Sequence, residues 1–108
     1  LREAKSLEGD YYCETRLAKF LQEAGHFDEA MTEIHWLLDR VALHIPKNTN
    51  LSGLERASLR AGMSAQIHRD AADLCGLSNR VELEAEHRKR ERQFMRLVKK
   101  ADAIRDPA

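Results

Sequence analysis

The side chains with the greatest chemical reach in this 108-residue chain are five histidines, His26, His35, His44, His68 and His87, and two cysteines, Cys13 and Cys75. A helix that ligates zinc through its own side chains needs two histidines one turn apart, as in HxxxH or HExxH. No such pair occurs in the sequence. Glu84 and His87 have the E-x-x-H spacing of four-helix di-iron sites, but that architecture needs two such motifs and two further inward glutamates. Set in a charged run, Glu84 and His87 read as surface residues. His35 and His44 flank Asp39 and read as a solvent-facing strip. The cysteines have no CxxC or Cys/His spacing and read as reduced thiols, a Cys13–Cys75 bridge being the alternative. No glycine-rich phosphate loop, nucleophile elbow or paired-carboxylate motif is found. The expectation is a chain that is not an enzyme, with no catalytic residue, no metal ligands and no cofactor.

Binding is the remaining kind of chemistry. The run HRKRER, His87 to Arg92, is the basic cluster, extended by Lys99 and Lys100. Basic helices can track phosphate backbones, which makes Arg88, Lys89, Arg90 and Arg92 candidate nucleic-acid contacts. Two observations weigh against that reading. The chain carries 18 basic and 18 acidic residues, without the basic excess of a dedicated nucleic-acid binder, and Glu82, Glu84, Glu86 and Glu91 are interleaved as in a solvated, ion-paired helix face. Trp36 sits off the main apolar stripe of its segment, so it is either edge packing or an exposed anchor for a partner. Tyr11 and Tyr12 are adjacent and cannot share one narrow helix face, so at least one is expected at a rim.

These residues need elements to hold them. Both prolines, Pro46 and Pro107, lie outside the periodic segments, and no β-branched alternation marks a strand. The first helix is expected from about Glu3 to Ala24, with Cys13, Leu17, Phe20, Leu21 and Ala24 as its apolar stripe. Gly25 suits the left-handed position that follows. The second helix, about Asp28 to His44, has the clearest stripe: Phe27, Ala30, Met31, Ile34, Leu37, Leu38, Val41 and Ile45. After the polar connector PKNTN, Ser52 and Glu55 form a capping box that opens a third helix to about Leu74, rich in small residues and closed by Gly76. Asn79 and Glu82 offer a second capping-box start, with Leu77 as a staple, for a fourth helix from about Arg80 to Ile104. Its middle, His87 to Arg92, is charged all round, and its second half presents Phe94, Leu97, Val98, Ala101 and Ile104.

The string GHFDEA, Gly25 to Ala30, and the residues around it resemble one tetratricopeptide repeat. Set on the repeat's turn glycine, Gly25 brings Leu17, Ala18 and Leu21 onto the first-helix packing positions, Phe27 onto the turn aromatic and Ala30 onto the small residue of the second helix. The match covers about residues 14 to 41. Glu14 stands where the repeat has tryptophan, the closing proline comes late as Pro46, and the second hairpin departs from the pattern at Val81 and Arg88. The resemblance implies a protein-interaction scaffold of stacked helical hairpins that binds a peptide or partner helix on its concave surface, and fewer than three repeats implies self-association or flanking repeats.

The sequence therefore predicts an all-α fold of four antiparallel helices as two helical hairpins, in a single domain over 1–108: hairpin one about 3–45, loop 46–51, hairpin two about 52–105. The expected function is a protein–protein interaction or oligomerisation scaffold, with a groove between the first and third helices lined by Tyr11, Tyr12, Arg16 and the small-residue face around Ala61. Expected partners are a protein, a peptide or a second copy, with Tyr11, Tyr12, Arg16 and Trp36 as contacts. The alternatives are a nucleic-acid-associated regulator and a metal-binding bundle. No apolar run approaches the ~20 residues of a membrane span and no signal peptide is evident, so the expected location is cytoplasmic.

Overall fold

The computed structural model describes residues 15–44 and 52–105. Among them the chain forms four helices and no strand: α1 (Arg16–Glu23), α2 (Phe27–His44), α3 (Gly53–Leu77) and α4 (Val81–Arg105). The fold is all-α, two helical hairpins packed on each other. In order along the chain, α1 packs on α2, α2 on α3, and α3 on α4 along most of its length. Tyr11, Tyr12, Cys13 and the connector Pro46 to Asn50 lie outside the described residues.

The stripe read along α2 is the centre of the core. Ala30, Ile34, Leu37 and Val41 are fully buried, with Phe27, Leu38 and Trp36 packed at its margins. Ile67, Ala71, Leu74 and Cys75 of α3 and Ala18 of α1 complete the cluster. The expected stripe of α1 is corrected here: Phe20 is 66% exposed, whereas Ala18 is fully buried. The helix is rotated because its polar residues have partners on α3. Thr15 Oγ1 donates to Asp70 Oδ2 at 2.7 Å, and Gln22 Nε2 donates to Ser78 Oγ at 3.2 Å. The sequence separations, 55 and 56, differ by one over seven residues of α1, so α1 and α3 run parallel and in step. The antiparallel α2 packs on both.

Local signals account for most helix ends. Ser52 Oγ accepts from the Glu55 amide at 3.1 Å, and the Ser52 amide donates to Glu55 Oε1 at 3.4 Å. Both halves of the capping box are thus made. Gly25 takes φ +85 in the α1–α2 turn. Two expectations about the next turn are overturned. Gly76 does not close α3 but lies inside it, and Asn79, at φ +57, makes the left-handed step. A Cβ at Gly76 would sit 3.1 Å from Glu84 Oε2 of α4, so glycine leaves room for that carboxylate. With Asn79 in that conformation, the expected Asn79–Glu82 cap does not form, and the Glu84 amide bonds the Arg80 carbonyl at 2.9 Å, at the start of α4.

Small residues set the α3–α4 distance. Ala61, Ala65 and Ala72 are buried on α3, and Val98 of α4 approaches Gly62 to ordinary contact, 3.9 Å from a Cβ added there. On α4 the inward positions are Glu84, His87, Glu91, Phe94, Met95, Val98 and Ala101, a three-and-four spacing that keeps one face on α3. The middle of α4 is therefore not charged all round: His87 is 7% exposed.

Candidate functional site

α3 and α4 bring together two histidines that are far apart in sequence. His68 Nδ1 lies 2.9 Å from His87 Nδ1 across the helix interface, with both side chains buried. The contact requires one ring to donate its Nδ1 proton and the other to present a lone pair, so at least one of the two is neutral. The His68 ring also stacks on Phe94, centroids 5.7 Å apart and 14° from parallel. Burial, then the neighbouring His87 and Arg90, hold the His68 pKa down at about 4, against a smaller upward pull from Glu86. His87 is lowered too, by burial and by His35, again opposed by Glu86. The reading of His87 as a surface residue is thereby overturned. A three-residue spacing on one helix gives no hint that the facing helix carries a histidine at the same level.

Charged residues border this pair on the two helices. Arg69 Nε meets Glu91 Oε2 at 2.8 Å, and Arg88 reaches Asp73 at 2.9 Å and Glu84 at 3.4 Å. Arg90 pairs with Glu86 at 3.3 Å. Glu84 and Glu86 thus pair within α4 at i, i+4, as the charge pattern predicts, while Glu91 reaches across to α3.

No family, no curated protein and no solved structure matches the chain.

The sequence-derived candidates separate clearly in the structure. Of the four basic residues considered for nucleic acid, Arg88 and Arg90 are engaged in ion pairs, whereas Lys89 and Arg92 project from the opposite side of α4 and pair with no described residue. Trp36 is partly buried against the core, with the Arg40 guanidinium 5.3 Å from its ring centroid. Arg16 is exposed on the first turn of α1. In the small-residue segment around Ala61, Ala61 and Ala65 are buried, and Val98 of α4 lies 3.9 Å from a Cβ added at Gly62. His26 and His35 are exposed, as expected.

Two sites were not legible in the sequence. One is the His68–His87 pair. The other is Asp70, 9% exposed, which accepts from Thr15 and, at 3.1 Å, from Gln66 Nε2. Among the described residues, no group of three His, Cys, Asp or Glu side chains is placed to hold a metal ion. Two imidazoles supply only half of a tetrahedral ligand set. The pair is suited to proton-dependent packing. Cys75 is a buried free thiol, its Sγ 4.0 Å from Met31 Sδ, and burial pushes its pKa up, away from the thiolate needed for nucleophilic chemistry. Among the described residues, no helix is long and apolar enough to cross a membrane.

Proposed function

We propose that the chain is a protein-interaction module of the stacked-hairpin type and that its partner includes a second copy of itself. The observation that carries the reading is the parallel, in-step alignment of α1 with α3, fixed by Thr15–Asp70 and Gln22–Ser78, with α2 returning against both. Consecutive hairpins stacked this way repeat one layer on the next, and the full burial of Ala18 and Ala30 agrees with the tetratricopeptide-like reading of that segment. Such stacks leave apolar end faces that another unit covers.

The exposed apolar side chains fit that role. Phe20, Leu77 and Val81 are 66%, 71% and 72% exposed, and the Gln22–Ser78 contact places all three at the end of the molecule where the two hairpin turns lie. A formal net charge of zero gives two copies no overall repulsion to overcome. The test is retention of an untagged copy by a tagged copy immobilised on resin. Retention that is lost in Phe20→Ser or in Leu77→Ser/Val81→Ser supports the module; no retention of the unaltered chain refutes the self-association.

A further inference from the structure

The outer face of α4 carries a charge imbalance that the composition conceals. From Arg88 to Lys100 the sequence holds seven basic residues and one acidic residue, Glu91, whereas the rest of the chain holds 11 basic and 17 acidic residues. The fold sorts these residues by face. Glu91 turns inward to Arg69, Arg88 is drawn to Asp73 and Glu84, and Arg90 is drawn to Glu86. What remains outward is Lys89, Arg92, Arg96, Lys99 and Lys100, all exposed and none in an ion pair with a described residue.

Lys89, Arg92, Arg96 and Lys99 recur every three or four residues, so they form one ridge about 15 Å long at 1.5 Å per residue. Like charges at this spacing oppose helix formation by about 0.2–0.5 kcal/mol per pair, so the pattern is not one that helix stability favours. Attraction of Lys99 and Lys100 to the helix C-terminus accounts only for the last turn or so.

We infer that this ridge binds the phosphate backbone of double-helical nucleic acid. A row of cations about 5 Å apart is comparable to the spacing of phosphates along a strand, and each contact releases condensed counterions. No aromatic side chain stands on the ridge to stack unpaired bases, which disfavours single strands. Phe94, Val98 and Ala101 of α4 face α3, but Leu97 and Ile104 remain exposed to one side of the ridge, so a membrane surface is the competing occupant that the vesicle arm of the test must exclude. The recognition is of charge and spacing, so sequence preference among duplexes is absent.

The test is fluorescence anisotropy of the full chain with labelled mixed-sequence DNA and RNA duplexes of about 20 base pairs, titrated between about 50 and 200 mM salt. Binding is expected to weaken with salt at a log–log slope of about −2.7 to −3.6, from three or four contacts on DNA. Arg92→Ala/Arg96→Ala/Lys99→Ala is expected to weaken binding at the lowest salt at least ~10-fold and to flatten the slope, while Arg92→Lys/Arg96→Lys retains both. Helicity of each variant by circular dichroism separates lost contacts from lost fold. Preference for RNA over DNA duplexes, or the reverse, assigns the source of the phosphates within the proposal. The inference is overturned by an absence of duplex binding at the lowest salt, or by binding that the alanine variant leaves unchanged. It is equally overturned by equal or tighter binding to polyglutamate or phosphatidylserine vesicles, or by a ridge variant whose only effect is on self-association.

Discussion

His68 and His87 share a hydrogen bond between like atoms, Nδ1 to Nδ1 at 2.9 Å, in the seam that joins α3 to α4. Such a bond survives one proton on the pair but not two, because a second proton places N–H against N–H and two cations side by side. Arg90 adds a further like charge, His35 another when protonated, and Glu86 is the opposing one. The folded His68 pKa of about 4 lies below its ordinary value of 6.5. Between those values the unfolded chain binds the proton and the folded chain does not. Stability is therefore fully present above about pH 6.5 and falls as the pH drops toward 4, by on the order of 2 kcal/mol, with the lowered His87 acting in the same direction. Urea denaturation at a series of pH values measures this directly. A midpoint that stays constant from pH 7 to 4.5 would contradict it.

Removing one member of the pair differs from removing both. His87→Ala leaves His68 Nδ1 buried without its partner and opens a cavity against α3, for an expected loss of about 1–3 kcal/mol at neutral pH. His68→Phe/His87→Leu replaces both with apolar groups and is expected to cost less, and to remove most of the acid sensitivity. Chemical denaturation of the single and double variants at pH 5 and pH 7.5 separates the two effects.

Asp70 connects α1 to α3 through Thr15, and also holds Gln66. Asp70→Ala strands the Thr15 hydroxyl in a buried position and is expected to cost about 1–3 kcal/mol, with faster amide exchange in α1 than elsewhere. Thr15→Val on its own tests the same bond from the other side. If the two substitutions prove additive in a double-mutant cycle, the residues do not interact as described.

Turn geometry gives opposite outcomes at two positions. Gly25 has open space around a Cβ but a φ of +85, so Gly25→Ala is expected to destabilise by about 1 kcal/mol through backbone strain alone. Asn79 already occupies φ +57, and Asn79→Gly is expected to be neutral or mildly stabilising. Thermal denaturation of the two variants under one set of conditions makes the comparison.

Much of this fold is written in local pattern. The α2 stripe, the Ser52–Glu55 box and the Gly25 turn each depend on residues within a few positions of one another, and each is found where periodicity and capping place it. The site residues depend instead on how separate helices align. Nothing near His87 announces His68, and nothing near Asp70 announces Thr15, because periodicity gives a residue its face but not its opposite number. The same limit explains Phe20: its spacing fits an apolar stripe, but the polar bonds from Thr15 and Gln22 to α3 turn it outward. Gly76 fits the pattern of a helix stop because a glycine that admits Glu84 of a neighbouring helix looks the same in sequence as one that ends its own.

If the two stacked hairpins present an apolar end to a second copy, as proposed, association depends on concentration. Sedimentation equilibrium across a concentration range spanning about 1 to 100 µM tests it most directly, since that range brackets the affinity of a modest interface. The mass is expected to rise toward two chains for the unaltered protein and to stay at one chain for Phe20→Ser with its helicity intact. A single-chain mass at every concentration, or a dimer that Phe20→Ser and Leu77→Ser/Val81→Ser both leave unchanged, would contradict it.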